Sequence, residues 1–127
     1  MSTALLYAPE SYVNALAEVR KVINGCGPGG WKGRLVPDTI LGLSIHEACN
    51  IHDWMYHCGE TIADKEEADR VFLNNCLRLI EVRGGLRLVV RLRMLLACTY
   101  YLAVKLFGGP FFWAEKNPVA TVYFVEV

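Results

Sequence analysis

Apolar residues recur every three or four positions in several parts of the chain, and each such part is predicted to form a helix. The first part covers residues 11–23, with Ser11 as the expected N-cap and Asn24-Gly25 as the stop. Its apolar face consists of Val13, Leu16, Val19 or Arg20, and Ile23. We expect this first amphipathic helix to pack against the core.

Two further helices are predicted on either side of a turn near Thr61. Ser44 and Glu47 have the spacing of a capping box, so the second helix should start there and end at the glycine at position 59. The third helix is expected over residues 64–82, again with an acidic residue at its start and a glutamate three positions later. Helices joined by so short a turn should lie antiparallel.

The second helix carries the residues most typical of a reaction site. His52 and Asp53 are neighbours, so their side chains point about a hundred degrees apart and can serve one site in different roles. Tyr56 lies one turn after His52, on the same stripe of the helix. In an antiparallel pair His52 is nearly level with Asp69 on the third helix, at a rise of about 1.5 Å per residue. Asp69 is therefore predicted to accept an N–H from His52, with Tyr56 close enough to bond the same carboxylate.

A fourth, long apolar helix is predicted from Leu86 to Phe107 and ends at a Gly-Gly-Pro sequence. Its last part, residues 94–107, carries only one charge, Lys105, but is shorter than the roughly 20 apolar residues that span a bilayer. A buried core helix is the favoured interpretation. A helix on a membrane surface, or one that forms an oligomer, is the alternative.

The C-terminal tail changes from helical to alternating periodicity. Residues 119–125 alternate and are rich in β-branched and aromatic side chains, which predicts a strand. Residues 115–118 resemble a turn, and residues 111–114 could pair back to complete a small β-hairpin. So apolar a strand, if exposed, would be a surface for association with another chain.

Composition narrows the class of protein. The 127 residues suit a single domain, residues 1–127, with a modest core. Basic and acidic side chains balance at 13 each, so nothing indicates a nucleic acid as partner. The apolar fraction of 54% is high, which is consistent with lipid contact, with oligomerisation or simply with an apolar core. Residues 1–10 lack the pattern of a secretory signal.

A glycine-rich loop is predicted between the first and second helices, over residues 24–43. Five glycines fall between Asn24 and Gly33, which disfavours a helix but lets backbone carbonyls turn inward around a cation. Calcium prefers such an arrangement, because it takes six to eight oxygen ligands from carboxylates, carbonyls and water. A flexible surface loop without a metal is the alternative.

Three motifs in order resemble those of the phospholipase A2 superfamily: C-G-P-G-G at 26–30, C-N-I-H-D-W-M-Y at 49–56 and A-D-R-V-F at 68–72. The resemblance covers roughly residues 24–77. It implies a mainly α fold, in which a core of two antiparallel helices carries the His/Asp site. The N-terminal helix, glycine-rich calcium loop, long apolar C-terminal helix and small β-hairpin would complete this fold.

The resemblance also implies a reaction, the calcium-dependent hydrolysis of the sn-2 ester of glycerophospholipids at a membrane surface. His52 would act as general base on water, Asp69 would orient it, and Tyr56 would support Asp69. Calcium would be bound by the Asp53 carboxylate and by three backbone carbonyls, those of Gly25, Gly27 and Gly29. The Gly27 N–H would also donate to the oxyanion.

Two other functional classes stay open. One is a catalytically idle relative that binds lipid or protein, and the other is a membrane-active, toxin-like component. In the second, the apolar C-terminal helix or tail would contact lipid or pair in a homo-oligomer. The resemblance favours secretion or delivery outside the cell, although no signal peptide is recognised in this chain.

The five cysteines mark a departure from the family pattern. Cys26 and Cys49 match a bridged family pair, which implies a disulfide between the calcium loop and the second helix. A second family bridge is replaced by Met55 and Ala68, so both of its partners are missing. Five free thiols in a reducing compartment are the alternative. The remaining cysteines, Cys58, Cys76 and Cys98, are expected to be reduced, with Cys98 buried in the long helix.

Overall fold

The structure is a computed structural model, and its described residues are 5–14 and 36–113. Within these ranges the fold is mainly α with one small antiparallel hairpin, as predicted at this level. Residues 24–35 of the predicted glycine-rich calcium loop, including all of its glycines at 25–33, lie outside the described residues. In chain order the elements are α1 (Glu10–Asn14), β1 (Thr39–Ile40), β2 (Leu43–Ser44), α2 (His46–Cys58), α3 (Ile62–Arg83), α4 (Arg87–Phe107) and α5 (Gly109–Trp113).

The body of the fold consists of three helices, in which α3 packs between α2 and α4. Short turns join α2 to α3 and α3 to α4, so each helix runs antiparallel to the next. The main core lies where the hairpin meets these three helices. Its fully buried members include Ile40, Ile45, Ala48, Phe72, Cys76, Ile80 and Ala97.

The start of α2 differs from the prediction. No side chain caps this helix at Ile45, so the expected capping box of Ser44 and Glu47 is wrong. Ser44 belongs to β2, and its hydroxyl only accepts a bond of 3.3 Å from the His46 N–H. Glu47 instead accepts a bond from the Tyr12 hydroxyl at 2.5 Å, which ties α2 to α1.

The capping box predicted for α3 exists, but it lies one turn earlier. Thr61 is the N-cap, and its hydroxyl accepts the Asp64 N–H at 3.1 Å, while the Asp64 carboxylate accepts the Thr61 N–H at 3.1 Å. The helix therefore begins at Ile62 rather than at Asp64. It ends at Arg83, one residue beyond the predicted end.

The N-terminal helix is present, although its details differ. It begins at Glu10, so Ser11 is inside it and is not its cap. The Ser11 hydroxyl accepts a bond of 3.0 Å from the Trp54 indole N–H of α2. Tyr12 is buried, whereas Val13, which was predicted to face the core, is 60% exposed. Residues 15–23 of the predicted helix lie outside the described residues.

The small β-hairpin lies at residues 39–44, inside a stretch that was predicted to be a loop. Its turn contains Leu41 and Gly42, both with positive φ, of 47° and 81°. The buried Arg93 of α4 holds the hairpin by donating from Nε to the Ile40 carbonyl at 3.2 Å and from Nη2 to the Leu41 carbonyl at 2.7 Å. Long-range hydrogen bonds from α4 therefore stabilise a hairpin whose own strands are only two residues long.

The hairpin predicted in the C-terminal region is wrong for residues 111–113, because they belong to the short helix α5. The helical turn buries Phe112 completely, with its ring against Gly59 at the end of α2. A Cβ at Gly59 would lie 2.7 Å from a Phe112 ring carbon, so this close approach requires glycine. The predicted strand at 119–125 lies outside the described residues.

The long helix α4 is buried on one face only. Arg93, Ala97 and Val104 are buried against the rest of the fold, as expected of a core helix. The opposite face is exposed, so the interpretation as a buried helix is wrong for half of its surface. None of the helices in the described ranges combines the length and the apolar content needed to cross a membrane.

The predicted bridge between Cys26 and Cys49 stays a prediction, because Cys26 lies outside the described residues. Among residues 36–113, Cys76 and Cys98 are free thiols, as expected. Cys76 is completely buried, whereas Cys98 is exposed, which corrects the expectation that the long helix buries it.

Candidate active site

The predicted contact between His52 and Asp69 is confirmed. Nε2 of His52 lies 2.8 Å from Oδ1 of Asp69, across the interface of α2 and α3. Both residues are buried, with relative exposures of 7% and 1%. The antiparallel register follows from the short turn at residues 59–61, which brings the middle of α2 level with the first half of α3.

This contact fixes how the imidazole can act. An ionised carboxylate only accepts hydrogen bonds, so Nε2 of His52 must carry the hydrogen that Asp69 receives. In the neutral ring the lone pair is then on Nδ1. The pair thus has the arrangement of a general base whose tautomer is held by a carboxylate.

Tyr56 joins the same carboxylate, as predicted. Its hydroxyl donates to Oδ1 of Asp69 at 2.7 Å, and its ring lies with its centroid 4.2 Å from that of His52. Burial is the main reason why the pKa of Tyr56 is raised, and the hydrogen bond and charge of Asp69 and the charge of Asp53 add to it. The hydroxyl therefore stays protonated and acts as a fixed donor.

Lys65 is a member of the cluster that sequence reasoning missed. Its ammonium lies 2.8 Å from Oδ2 of Asp69, the oxygen that His52 and Tyr56 leave open. It also donates to the backbone carbonyls of Val104 at 3.1 Å and Lys105 at 3.3 Å, at the C-terminal end of α4. A cation is favoured at this end, where helix carbonyls lack partners. Lys65 therefore ties the carboxylate to the third helix of the body.

The four-residue spacing from Lys65 to Asp69 was the available signal for this contact. Such a spacing usually indicates a solvated pair on a helix surface. Only the position of α4 makes Lys65 buried, at 7% exposure.

Three donors on one buried carboxylate keep Asp69 ionised. Burial is the largest single influence and favours the neutral acid. The hydrogen bonds from His52, Lys65 and Tyr56, with the charge of His52, outweigh it and hold the pKa of Asp69 below its ordinary value. We refer to these four residues, His52, Tyr56, Lys65 and Asp69, as the Asp69 cluster.

Apolar and aromatic groups enclose the Asp69 cluster. The ring of Phe72 lies 5.0 Å from that of His52, and the ring of Phe112 meets Tyr56 edge-on at 5.2 Å. Gly108 lies against the Tyr56 hydroxyl, so closely that a Cβ would overlap it. The packing therefore leaves the rings of the cluster little freedom to move.

Of the predicted calcium ligands, only Asp53 lies within the described residues. It is half-buried and follows His52 on α2, and a carboxylate is a hard oxygen donor of the kind calcium prefers. Gly25, Gly27 and Gly29, the predicted sources of carbonyls and of the oxyanion N–H, are outside the described ranges. Within residues 5–14 and 36–113 there is no group of three histidine, cysteine, aspartate or glutamate side chains that could hold a metal ion.

A cleft of about 460 Å³ lies between the N-terminal segment and the helices α2 and α3. Its lining is largely apolar, and Met55, one turn after His52 on α2, forms part of it. The N-terminal wall is held by the buried Asn75, which accepts the Tyr7 N–H at 2.8 Å and donates to the Tyr7 carbonyl at 2.9 Å. The complete lining is Tyr7, Ala8, Pro9, Met55, Glu67, Val71 and Asn74.

Comparison of the chain with known protein families, with curated proteins and with solved structures found no match. The candidate function therefore depends on the motifs and on the geometry of the Asp69 cluster.

Proposed function

We propose that this chain is a calcium-dependent hydrolase of the phospholipase A2 type, which cleaves the sn-2 ester of glycerophospholipids. The observation that supports this most is the contact of 2.8 Å between Nε2 of His52 and Asp69, in a cluster with Tyr56. A buried histidine held in one tautomer by an ionised carboxylate can serve as a general base. The motif resemblance supplies the substrate class.

In this proposal Nδ1 of His52 takes a proton from the water that attacks the ester carbonyl. Asp69 keeps the hydrogen on Nε2 and stabilises the imidazolium that forms, while Tyr56 holds the carboxylate in place. Proton return to the leaving alcohol restores the neutral ring, so no acyl-enzyme is required.

Lys65 is a positioning residue in this proposal, since it contacts Asp69 and not the reacting atoms. Its two bonds to α4 carbonyls fix the ammonium, and the ammonium fixes the second carboxylate oxygen. A carboxylate held on both oxygens cannot rotate away from the imidazole. Lys65 is therefore expected to help keep the imidazole of His52 in the orientation that the reaction requires.

Calcium would be held by Asp53 with the carbonyls of Gly25, Gly27 and Gly29, and when bound it would polarise the ester carbonyl and stabilise the oxyanion. The Gly27 N–H is the second group proposed for the oxyanion. Asp53 supplies the only formal charge of this ligand set, so the affinity for calcium should depend on it.

The substrate partner in this proposal is a phospholipid membrane surface. An acyl chain requires an apolar passage, and the cleft beside Met55 and Val71 is of suitable character. Its lining includes Met55, one turn from the proposed base on α2, and no member of the Asp69 cluster.

The test is release of fatty acid from phospholipid vesicles, with calcium and with a chelator. Activity should require calcium, and His52→Gln should lower turnover by about 10² to 10⁴ because the proton acceptor is lost. The matched control is His57→Gln, the same substitution at an exposed position of the same helix, which should leave turnover unchanged. Equal activity of wild type and His52→Gln would refute the base.

Asp53→Asn tests the metal separately. Calorimetry should show that calcium binding is lost in this variant, whereas Glu60→Gln, at an exposed position in the following turn, should bind as wild type does. A folded wild-type chain that binds calcium yet releases no fatty acid would instead favour the idle lipid- or protein-binding relative.

A further inference from the structure

The outer face of α4 carries a regular row of exposed leucines. Their relative exposures lie between 43% and 68%, although the helix is one of the two longest in the fold. The steps along the row alternate between four and three residues, with Thr99 completing the pattern. We call this row the leucine seam, and it consists of Leu88, Leu92, Leu95, Thr99, Leu102 and Leu106.

The seam is not explained by the packing of the residues that the structure describes. The buried residues Arg93, Ala97 and Val104 lie on the opposite side of α4, toward α3 and the hairpin. Leu86 and Phe107, at the two ends of α4, are also exposed, at 76% and 63%, but do not belong to the row. An exposed apolar row of this length marks a contact surface.

Alternating steps of three and four residues have a mean of 3.5, which is the repeat of a coiled coil. In heptad notation Leu92, Thr99 and Leu106 occupy a positions, and Leu88, Leu95 and Leu102 occupy d positions. A strand has a period of two, so it does not match this spacing, whereas the side chains of a second helix with the same repeat can interdigitate with the row along its whole length. The partner that fits is another helix with the same repeat.

We infer that two copies of this chain pair through the leucine seam, with their α4 helices parallel and in register. Each seam meets an identical seam, as in an isologous two-fold interface. The five exposed leucines of the seam offer on the order of 500 Å² per copy, and the flanking side chains of α4 adjoin them; one partner contributes roughly 800 Å² to a standard interface.

The flanking residues favour the parallel orientation. On one side of the seam the g positions are Arg91, Cys98 and Lys105, and on the other side the e positions are Val89, Leu96 and Ala103. A parallel pair places each g residue beside an e residue of the partner, so the basic stems cover apolar side chains. An antiparallel pair would place Arg91 against Lys105 of the second copy, and α4 contains no acidic residue to offset that repulsion.

Thr99 adds a reason for the register. A polar residue at a single a position is tolerated best where it meets its own counterpart, and such residues specify register at some cost in stability. In a parallel, in-register pair the two Thr99 side chains occupy the same layer. Any shift by one heptad would set Thr99 against leucine.

The seam lies on the side of α4 that faces away from α3 and the Asp69 cluster, so pairing and hydrolysis can be tested independently. Sedimentation of the full chain over the micromolar range should give a dimer. The double variant Leu95→Glu/Leu102→Glu should be monomeric over the same range, with unchanged helical content. The matched control, Ile62→Glu/Val82→Glu, changes two comparably exposed residues of α3 and should stay dimeric.

Orientation is tested by cross-linking in a Cys98→Ser background. Leu95→Cys should form a covalent dimer on mild oxidation, because the two d positions meet in a parallel pair. A monomeric wild type, or a seam variant that still dimerises, would overturn the inference. If the wild type is monomeric and binds anionic vesicles through the same leucines, the seam is a lipid-binding surface instead. A third outcome concerns the orientation alone. If Leu95→Glu/Leu102→Glu abolishes the dimer but Leu95→Cys does not cross-link it, the parallel register is overturned.

Discussion

Two regions of the molecule depart from the usual rule that apolar side chains are buried and polar ones exposed. The interface of α2 and α3 buries polar groups, and the outer side of α4 exposes apolar ones. Around Asp69, four polar side chains are buried among aromatic rings. On α4, five leucines of the seam are exposed to solvent. Apolar residues on a surface are common singly, but a buried lysine and a regular apolar row both require a reason.

The two regions differ in whether their side chains have partners among the described residues. Within the described residues, no buried side-chain nitrogen or oxygen lacks a hydrogen-bond partner, so the Asp69 cluster is complete within one chain. The leucine seam has no counterpart inside the described part of the chain. The comparison teaches that the polar groups of the first region find their partners within the described residues, while the apolar side chains of the second are left exposed there.

The largest effect on stability is expected from Asp69→Asn. An amide has one acceptor oxygen, and its NH2 group would face a donor, so at least one of His52, Tyr56 and Lys65 loses its bond. The Lys65 ammonium would also remain buried without a counter-charge. Breaking a buried ion pair on one side costs about 3 to 5 kcal/mol in free energy of unfolding, which urea titration can measure.

The control for Asp69→Asn is the double variant with Lys65→Met, which removes both charges and keeps an unbranched chain at position 65. We expect it to recover part of the lost stability, because no uncompensated charge remains. If the single variant unfolds at the wild-type urea concentration, the ion pair contributes little and the contrast between the two regions is weaker than drawn.

The pH dependence of stability should follow from the same carboxylate. The pKa of Asp69 is lowered in the folded chain, so its contribution is fully present above the unfolded-state pKa, about 3.9. It is lost as the pH falls through the lower folded-state value. The stability difference between wild type and Asp69→Asn should narrow as the pH falls below about 4. A difference that widens on acidification would contradict this.

A smaller loss of stability is expected from Gly108→Ala. This variant tests the packing where the end of α4 meets the Asp69 cluster. A Cβ at Gly108 would overlap the Tyr56 hydroxyl and the Val104 carbonyl, both of which belong to the cluster or bind it. Overpacking of this kind costs about 1 to 3 kcal/mol in stability. Gly109→Ala is the matched control, since nothing lies within 4 Å of its Cβ position. Equal melting temperatures for the two variants would show that Tyr56 can move aside.

The relation of His52 to Asp69 and Tyr56 could be predicted because it depends on local rules. Helical periodicity places Tyr56 one turn from His52, and a short turn between two helices sets which residues are level. The same rules gave the ends of α4 to within one residue. Such features require no knowledge of distant parts of the chain.

What could not be predicted depends on distant contacts. Lys65 is buried only because α4 carbonyls, 39 and 40 positions further along, lie above it. The hairpin at 39–44 depends on Arg93 in the same way, and the Ser44 capping box failed because Ser44 joins that hairpin. The outer face of α4 was assigned to the core because hydropathy alone does not reveal which face meets another element.

The smallest expected effect is that of labelling cysteine thiols in the folded chain. Cys76 lies in the core, and burial, with a lesser contribution from Cys49, raises the pKa of its thiol, whereas Cys98 flanks the leucine seam and is exposed. A maleimide should label Cys98 in the native chain and leave Cys76 unlabelled until urea unfolds the protein, because the thiolate is the reactive form. Rapid labelling of Cys76 would mean that the main core opens readily. In urea without reductant, a bridge between Cys26 and Cys49 would leave three of the five thiols reactive, and five reactive thiols would refute it.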